Sequence, residues 1–173
     1  MTDWRRARPD DIEPLVALIQ SAYRGASSKA GWTTEEHLVS GQRIDPPMLA
    51  DQIADDEHIM LMREDGAGAL CCVAVERCPG YGYIGTVTVR PTAQRGGLGR
   101  AALDVAEAHI RTHWGLDRAR MTVVGQRPEL IGWYGRRGYR DTGETAPFPY
   151  HDERFGRPKR DDLYFVILEK NLS

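Results

Sequence analysis

The chain has 173 residues, 41% of them hydrophobic, 28% charged and 8% aromatic, the balance of an ordinary soluble globular protein, and no repeat or low-complexity segment points to a solenoid or a disordered tail. One domain over residues 1–173 is the reading that leaves an adequate core, since no Pro/Gly/Ser linker divides the chain. The 23 Lys and Arg against 25 Asp and Glu give a formal net charge of -2, so no overall positive field is available and nucleic acid is not an expected partner.

At the start, MTDWRRARPDDIEP lacks the apolar stretch of a signal peptide, and no later run approaches the roughly 20 apolar residues of a membrane span. The reading is a soluble, cytoplasmic chain with no membrane partner. Trp4 to Ala7 is a short strand. Pro9-Asp10-Asp11 then caps a helix carrying Ile12, Leu15, Val16, Ile19 and Tyr23 on one face, and Gly25 ends it. Ser27 to Ile44 is weakly periodic, with a helix over Thr34–Val39; Asp45-Pro46-Pro47 caps another short helix through Ala54.

From His58 the period changes to two: HIMLMRED, a turn at Asp65-Gly66, GALCCVAVER, a turn at Pro79-Gly80, then YGYIGTVTV to Val89. Short turns between sequential strands make an antiparallel meander. Cys71, Cys72 and Cys78 are odd in number, include an adjacent pair and lie apart from the five histidines, so neither a disulfide framework nor a metal site is expected. Leu98–Trp114 is the strongest helix, with Leu103, Ala106, Ile110 and Trp114 on one face and Ala102 and Val105 widening it. Arg118–Val124 reads as a strand, Pro128–Arg137 as a helix stopped by Gly138, and strands start at Tyr139 and at Asp162. A strand-helix-strand crossover after a meander implies a mixed sheet with a parallel pair at its centre. Ligands in such sheets sit where neighbouring strands diverge, after Val89 or after Val124.

The loop after Val89 packs Gly96, Gly97 and Gly99 into the first turn of the long helix, at about 0.5–1 kcal/mol each relative to Ala. A helix N-terminus presents free N–H groups and partial positive charge, and bare glycines let a diphosphate reach the backbone, with Arg95 and Arg100 on either side. A kinase-type loop is excluded because Gly99 is followed by Arg-Ala rather than Lys-Ser/Thr. Gly97-Leu-Gly99-Arg-Ala-Ala102 satisfies the dinucleotide fingerprint, but the next strand ends in Val-Val-Gly125-Gln126 with no acid for a ribose, and Asp117 lies at its other end.

Gln94-Arg-Gly-Gly97-Leu-Gly99 resembles the Q/R-x-x-G-x-G/A acetyl-CoA loop of the GNAT family of N-acetyltransferases. Trp133-Tyr134-Gly-Arg-Arg-Gly138-Tyr139 is similar to that family's tyrosine followed by Gly-aromatic at the end of the fourth helix. The order of elements agrees from about Asp3 to Leu172. The resemblance implies an α/β (α+β) fold. Its mixed central sheet has about seven strands with about four helices, and is splayed between the fourth and fifth strands.

It further implies an acetyl-CoA-dependent transfer of an acetyl group to a primary amine of a small molecule, by direct attack in a ternary complex. Thr86, Val87, Thr88 and Val89 would hold the pantetheine arm through their backbone. Gln94, Arg95, Gly96, Gly97, Leu98, Gly99 and Arg100 would hold the diphosphate and adenosine end of coenzyme A. Tyr134 would face the thioester sulfur. Full proton transfer from an ordinary phenol to a thiolate is uphill by about 2 kcal/mol, so a hydrogen bond to the leaving thiolate is its expected role.

An ammonium acceptor must lose a proton, and the fourth strand carries no carboxylate. Glu76 on the preceding strand, Glu144, or a water relayed through Tyr81 or Tyr83 stand open for that task. Arg127 stands where many members carry Asn, so that residue's contact is not carried over. Arg136 and Arg137 read as a solvated helix end. The acceptor site is expected from Tyr23–Arg43 and Thr142–Arg160, with Trp32, Arg43, Tyr150 and His151 around the amine. A non-catalytic acyl-CoA sensor is the competing reading, and a homodimer stays open.

Overall fold

The computed structural model describes residues 3–29, 31 and 33–173, without the side chains of Ala26 and Ser27; Trp32 lies outside the described residues. In chain order its elements are β1 (Arg5–Arg6), α1 (Ile12–Tyr23), a one-turn α2 (Gly25–Ser28), β2 (Val39–Ser40) and α3 (Pro46–Ala54). The meander follows as β3 (His58–Asp65), β4 (Gly68–Cys78) and β5 (Tyr81–Val89), then α4 (Leu98–Thr112) and β6 (Arg118–Val124). The chain ends with α5 (Pro128–Gly135), β7 (Arg140–Pro147), β8 (Arg157–Pro158) and β9 (Tyr164–Asn171).

Seven strands form one mixed sheet in the order β1-β3-β4-β5-β6-β9-β7, and β5/β6 is its parallel pair. The period-2 alternation of the meander dresses both faces. Ile59, Leu61, Val73 and Val75 point to one side and pack with Ala102, Leu103, Ala106 and Ile110 of α4 and Leu130 of α5. Met60, Met62, Cys72 and Ala74, one residue out of phase, point to the other and meet Leu15, Leu18 and Ile19 of α1 and Leu49 of α3. Asp45 caps α3 by accepting the Met48 N–H at 2.8 Å, with Pro at the first helical positions, as the sequence pattern predicts.

The expected helix over Thr34–Val39 is a single turn. Leu38 and Val39 N–H both donate to Glu35 O at 2.8 Å, and the turn ends there because Val39 and Ser40 pair with Pro158 and Arg157 in a separate two-stranded sheet. Only the long-range pairing of β2 with β8 decides this. The fourth and fifth strands of the sequence reading become β5 and β6 once β2 is counted.

Candidate active site

The parallel strands β5 and β6 are in register only at Gly82 with Ala119 and Tyr83 with Arg120; beyond these they separate. A bulge in β5 marks the parting. Cys72 is opposite Thr88 and Ala74 opposite Gly85, so Thr86 and Val87 together face Val73. Thr86 takes φ of 53°, costly for a β-branched residue. Tyr23 of α1 fixes the bulge by donating its hydroxyl to Val87 O, and Thr88 donates to Thr86 O at 2.9 Å.

Two cavities open along this gap. The first, about 270 Å³, lies between the end of β5, the glycine loop and α5, and reaches Val89, Gln94, Arg95, Gly97, Gly99 and Arg100. The second, about 290 Å³, is lined by Thr86, Tyr83, Thr122, Arg43 and Glu35, with Phe155 from the loop before β8. Tyr23, Val87, Leu130 and Tyr134 line both, so the two adjoin at these residues.

The first cavity has open backbone donors, flanking cations, a braced loop and a shaped floor. Gly97 is the left-handed N-cap of α4 at φ 76°, no side chain caps the helix, and the first intrahelical bond comes from Ala101 N–H, which leaves the preceding N–H groups open. Arg95 and Arg100 stand exposed beside them. Gln94 braces the loop, its Nε2 donating to Val89 O at 3.0 Å and Thr33 Oγ1 at 2.9 Å. A Cβ at Gly99 would come within 3.3 Å of the Trp133 ring, which carries the Arg137 guanidinium on its face at 4.1 Å.

At the junction, Tyr134 is buried, with Trp133 and Tyr139 edge-on to it at 5.1 and 6.1 Å, and its hydroxyl has no hydrogen-bond partner among the described residues. Burial pushes its phenol well above the ordinary value, so it is a permanent O–H donor. In the second cavity Tyr83 Oη and Thr122 Oγ1 share a hydrogen bond at 2.6 Å. Burial would raise the Glu35 carboxyl, but Arg43, Arg24 and Arg127 outweigh it and hold the acid below its usual range. Arg24 donates to Glu35 Oε2, while Arg127 Nη1 lies 3.7 Å from Oε1 and donates to Thr33 O at 3.0 Å.

Residues 18–139 match the model of the Acetyltransferase (GNAT) family. The chain belongs to the GNAT family. A mycothiol acetyltransferase of Salinispora tropica is 30% identical over 142 residues, spanning 78% of this GNAT chain but only 43% of that protein. The fold superimposes on the ribosomal-protein-S18-alanine N-acetyltransferase of Escherichia coli with a TM-score of 0.72 at 14% identity, covering 100% of this chain and 95% of that one. A mutant spermidine N-acetyltransferase of Vibrio cholerae gives 0.67 at 12% identity, covering 99% and 96%.

Of the residues singled out in the sequence, this GNAT fold brings Val87, Val89, Gln94, Arg95, Gly97, Gly99, Arg100 and Tyr134 to the first cavity, and Thr86 and Arg43 to the second. Gly96 and Leu98 belong to the loop and first turn without lining it, and Thr88 is buried behind the bulge. Glu76 is exposed and reaches neither cavity, although it is opposite Tyr83 in register. Tyr150 is engaged elsewhere: its hydroxyl accepts from Leu163 N at 2.7 Å and donates to Arg160 O at 3.1 Å. His151 is exposed outside both cavities. Glu144 pairs with Arg120 at 3.5 Å, and Tyr81 lies under the same guanidinium at 5.1 Å.

Not singled out as site residues in the sequence are Tyr23, Thr33 and Glu35, which lie within the Tyr23–Arg43 segment expected at the acceptor, and Trp133 and Arg137. The four-residue spacing of Trp133 and Arg137 in the helix expected over Pro128–Arg137 was the available signal for that pair, although α5 itself ends at Gly135 and Arg137 lies in the turn after it.

Proposed function

We propose that the protein is an acetyl-CoA-dependent N-acetyltransferase of a primary amine on a small molecule, acting as one domain over residues 1–173. The observation that carries it is the Tyr134 hydroxyl, without a hydrogen-bond partner among the described residues, where a cavity suited to an anion meets a second, polar one. The free N–H groups of Leu98–Arg100, with Arg95 and Arg100, suit the diphosphate, and the open edge of β5 from Thr86 to Val89 suits an amide-bearing arm. Acetyl-CoA supplies the acetyl group as a thioester.

The amine in the second cavity attacks the acetyl carbon; a C–N bond forms, the C–S bond breaks and the sulfur leaves with the electron pair. Tyr134 donates a hydrogen bond to that sulfur as it gains charge. The acceptor reacts as the free amine, and the proton its nitrogen sheds on attack is taken up by water that the hydrogen-bonded Tyr83 and Thr122 hydroxyls orient. Glu35, held low by three arginines, is a poor base, and no part falls to Glu76.

The test is thermal shift with coenzyme A, acetyl-CoA and NAD, followed by thiol release from acetyl-CoA across a panel of amines, amino acids and peptides. Coenzyme A and acetyl-CoA are expected to raise Tm, by mass action on the folded state, and NAD is not. Stabilisation without thiol release from any acceptor would favour a sensor; no stabilisation would end the acyl-CoA reading.

A further inference from the structure

Arg43 is the cation of the second cavity that feels the Glu35 charge but has no hydrogen-bond or ion-pair partner of its own among the described residues. Its backbone is fixed twice over: Arg43 N–H donates to Gln20 Oε1 at 2.8 Å, and Asp45, two residues on, caps α3. The side chain turns inward over the Tyr23 ring, 4.7 Å from its centre, and lines the cavity. Among the described residues its guanidinium has no hydrogen-bond or ion-pair partner. The nearest carboxylate of the cavity, Glu35, already has Arg24 on Oε2 and Arg127 on Oε1.

The other acids of the neighbourhood are also engaged. Glu36 accepts from Gly25 N at 2.8 Å and pairs with Lys159 at 3.6 Å, while Asp45 accepts from Gln42 at 2.9 Å and faces Arg154 at 3.8 Å. One carboxylate among three guanidiniums leaves the cavity positive. A half-buried guanidinium with unused donors is costly unless an acceptor meets it, and its planar fork fits a carboxylate through two parallel bonds.

We infer that the acceptor is a primary amine that also carries a carboxylate, seated on Arg43 so that its amino group is directed toward Tyr134. The inference rests on the acetyltransferase reading and adds the acceptor's class. It also excludes polyamines, since a second ammonium would enter a cavity with no free carboxylate among the described residues to receive it.

The experiment compares thiol release from acetyl-CoA with the common amino acids, their carboxamides, the matching decarboxylated amines and spermidine, using wild type, Arg43→Gln and Arg43→Lys. Coenzyme A affinity of each protein serves as the folding control. Wild type is expected to prefer acids over their carboxamides by roughly 10- to 100-fold in kcat/KM. Arg43→Gln should lose that preference, mainly through KM, and Arg43→Lys should keep part of it. Equal rates on acids and carboxamides, or preference for amines and spermidine, would overturn the inference and leave the acetyltransferase reading intact. Coenzyme A binding with no acid acetylated would overturn it as well, whereas absence of coenzyme A binding by wild type would remove the reading beneath it.

Discussion

Tyr134 has the most to do for a single atom. Burial keeps its proton in place, and with no hydrogen-bond partner among the described residues the hydroxyl is left to whatever occupies the junction of the two cavities. Tyr134→Phe removes one bond to a developing thiolate and little volume, so turnover is expected to fall roughly 10- to 1000-fold with coenzyme A affinity nearly unchanged. Turnover and coenzyme A dissociation constant measured on the same two proteins decide it, and equal turnover would reduce Tyr134 to packing. This tyrosine was legible because its spacing from Gly138-Tyr139 is local. Tyr23 was not: on the α1 face it reads as one more apolar residue, and only the folded chain brings its hydroxyl to Val87 O. Glu76 shows the converse error, a residue of suitable chemistry beside the right strand whose side chain stays in solvent.

The glycine loop carries its information in backbone conformation, which is why it was readable. Gly97 holds φ of 76°, and a Cβ there would meet no protein atom within 4 Å, so conformation and the ligand's space are the two things a side chain would disturb. They can be separated. Gly97→Ala forces a residue with a Cβ into the left-handed region at a cost of about 1–2 kcal/mol, lowering Tm by several degrees. Gly97→Asn tolerates that region and should lower Tm less, yet weaken coenzyme A by at least roughly tenfold, because its side chain stands at the mouth of the first cavity. Calorimetric Tm and coenzyme A titration on both variants test this, and undiminished binding by the Asn variant would place the diphosphate elsewhere. The meander and α4 were legible for the same reason: period and caps are local. The segments 33–44 and 147–163 were not. Their shape depends on β2 pairing with β8, on the Arg24–Glu35–Arg127 cluster and on the Tyr150–Leu163 bond, all contacts between distant parts of the chain.

Across the whole molecule, acid is expected to weaken the fold in two stages, the first set by histidines remote from the site. His58, at the start of β3, has its basicity lowered chiefly by burial, against smaller opposing effects of Glu76 and Asp55. His109 on α4 is lowered by burial and then by His113 and Arg6, the two imidazoles stacking at 4.4 Å. Nε2 of each is buried without a partner among the described residues. A group whose folded value lies below its unfolded value near 6.5 is protonated first in the unfolded chain, so stability is full above that pH and falls as pH drops toward the folded values. The second stage belongs to carboxylates held low, Asp11 by its hydrogen bonds with Arg5 and Glu35 by its three arginines, whose contribution persists until pH falls below about 4. Tm should therefore decline between pH 7 and about 5 and then more steeply. The His58→Gln/His109→Gln variant should flatten the first decline and retain the second. A wild-type Tm that stays level from pH 7 to 5 would show that these rings take up protons in the fold as readily as in the unfolded chain, and that only the carboxylates set the acid limit.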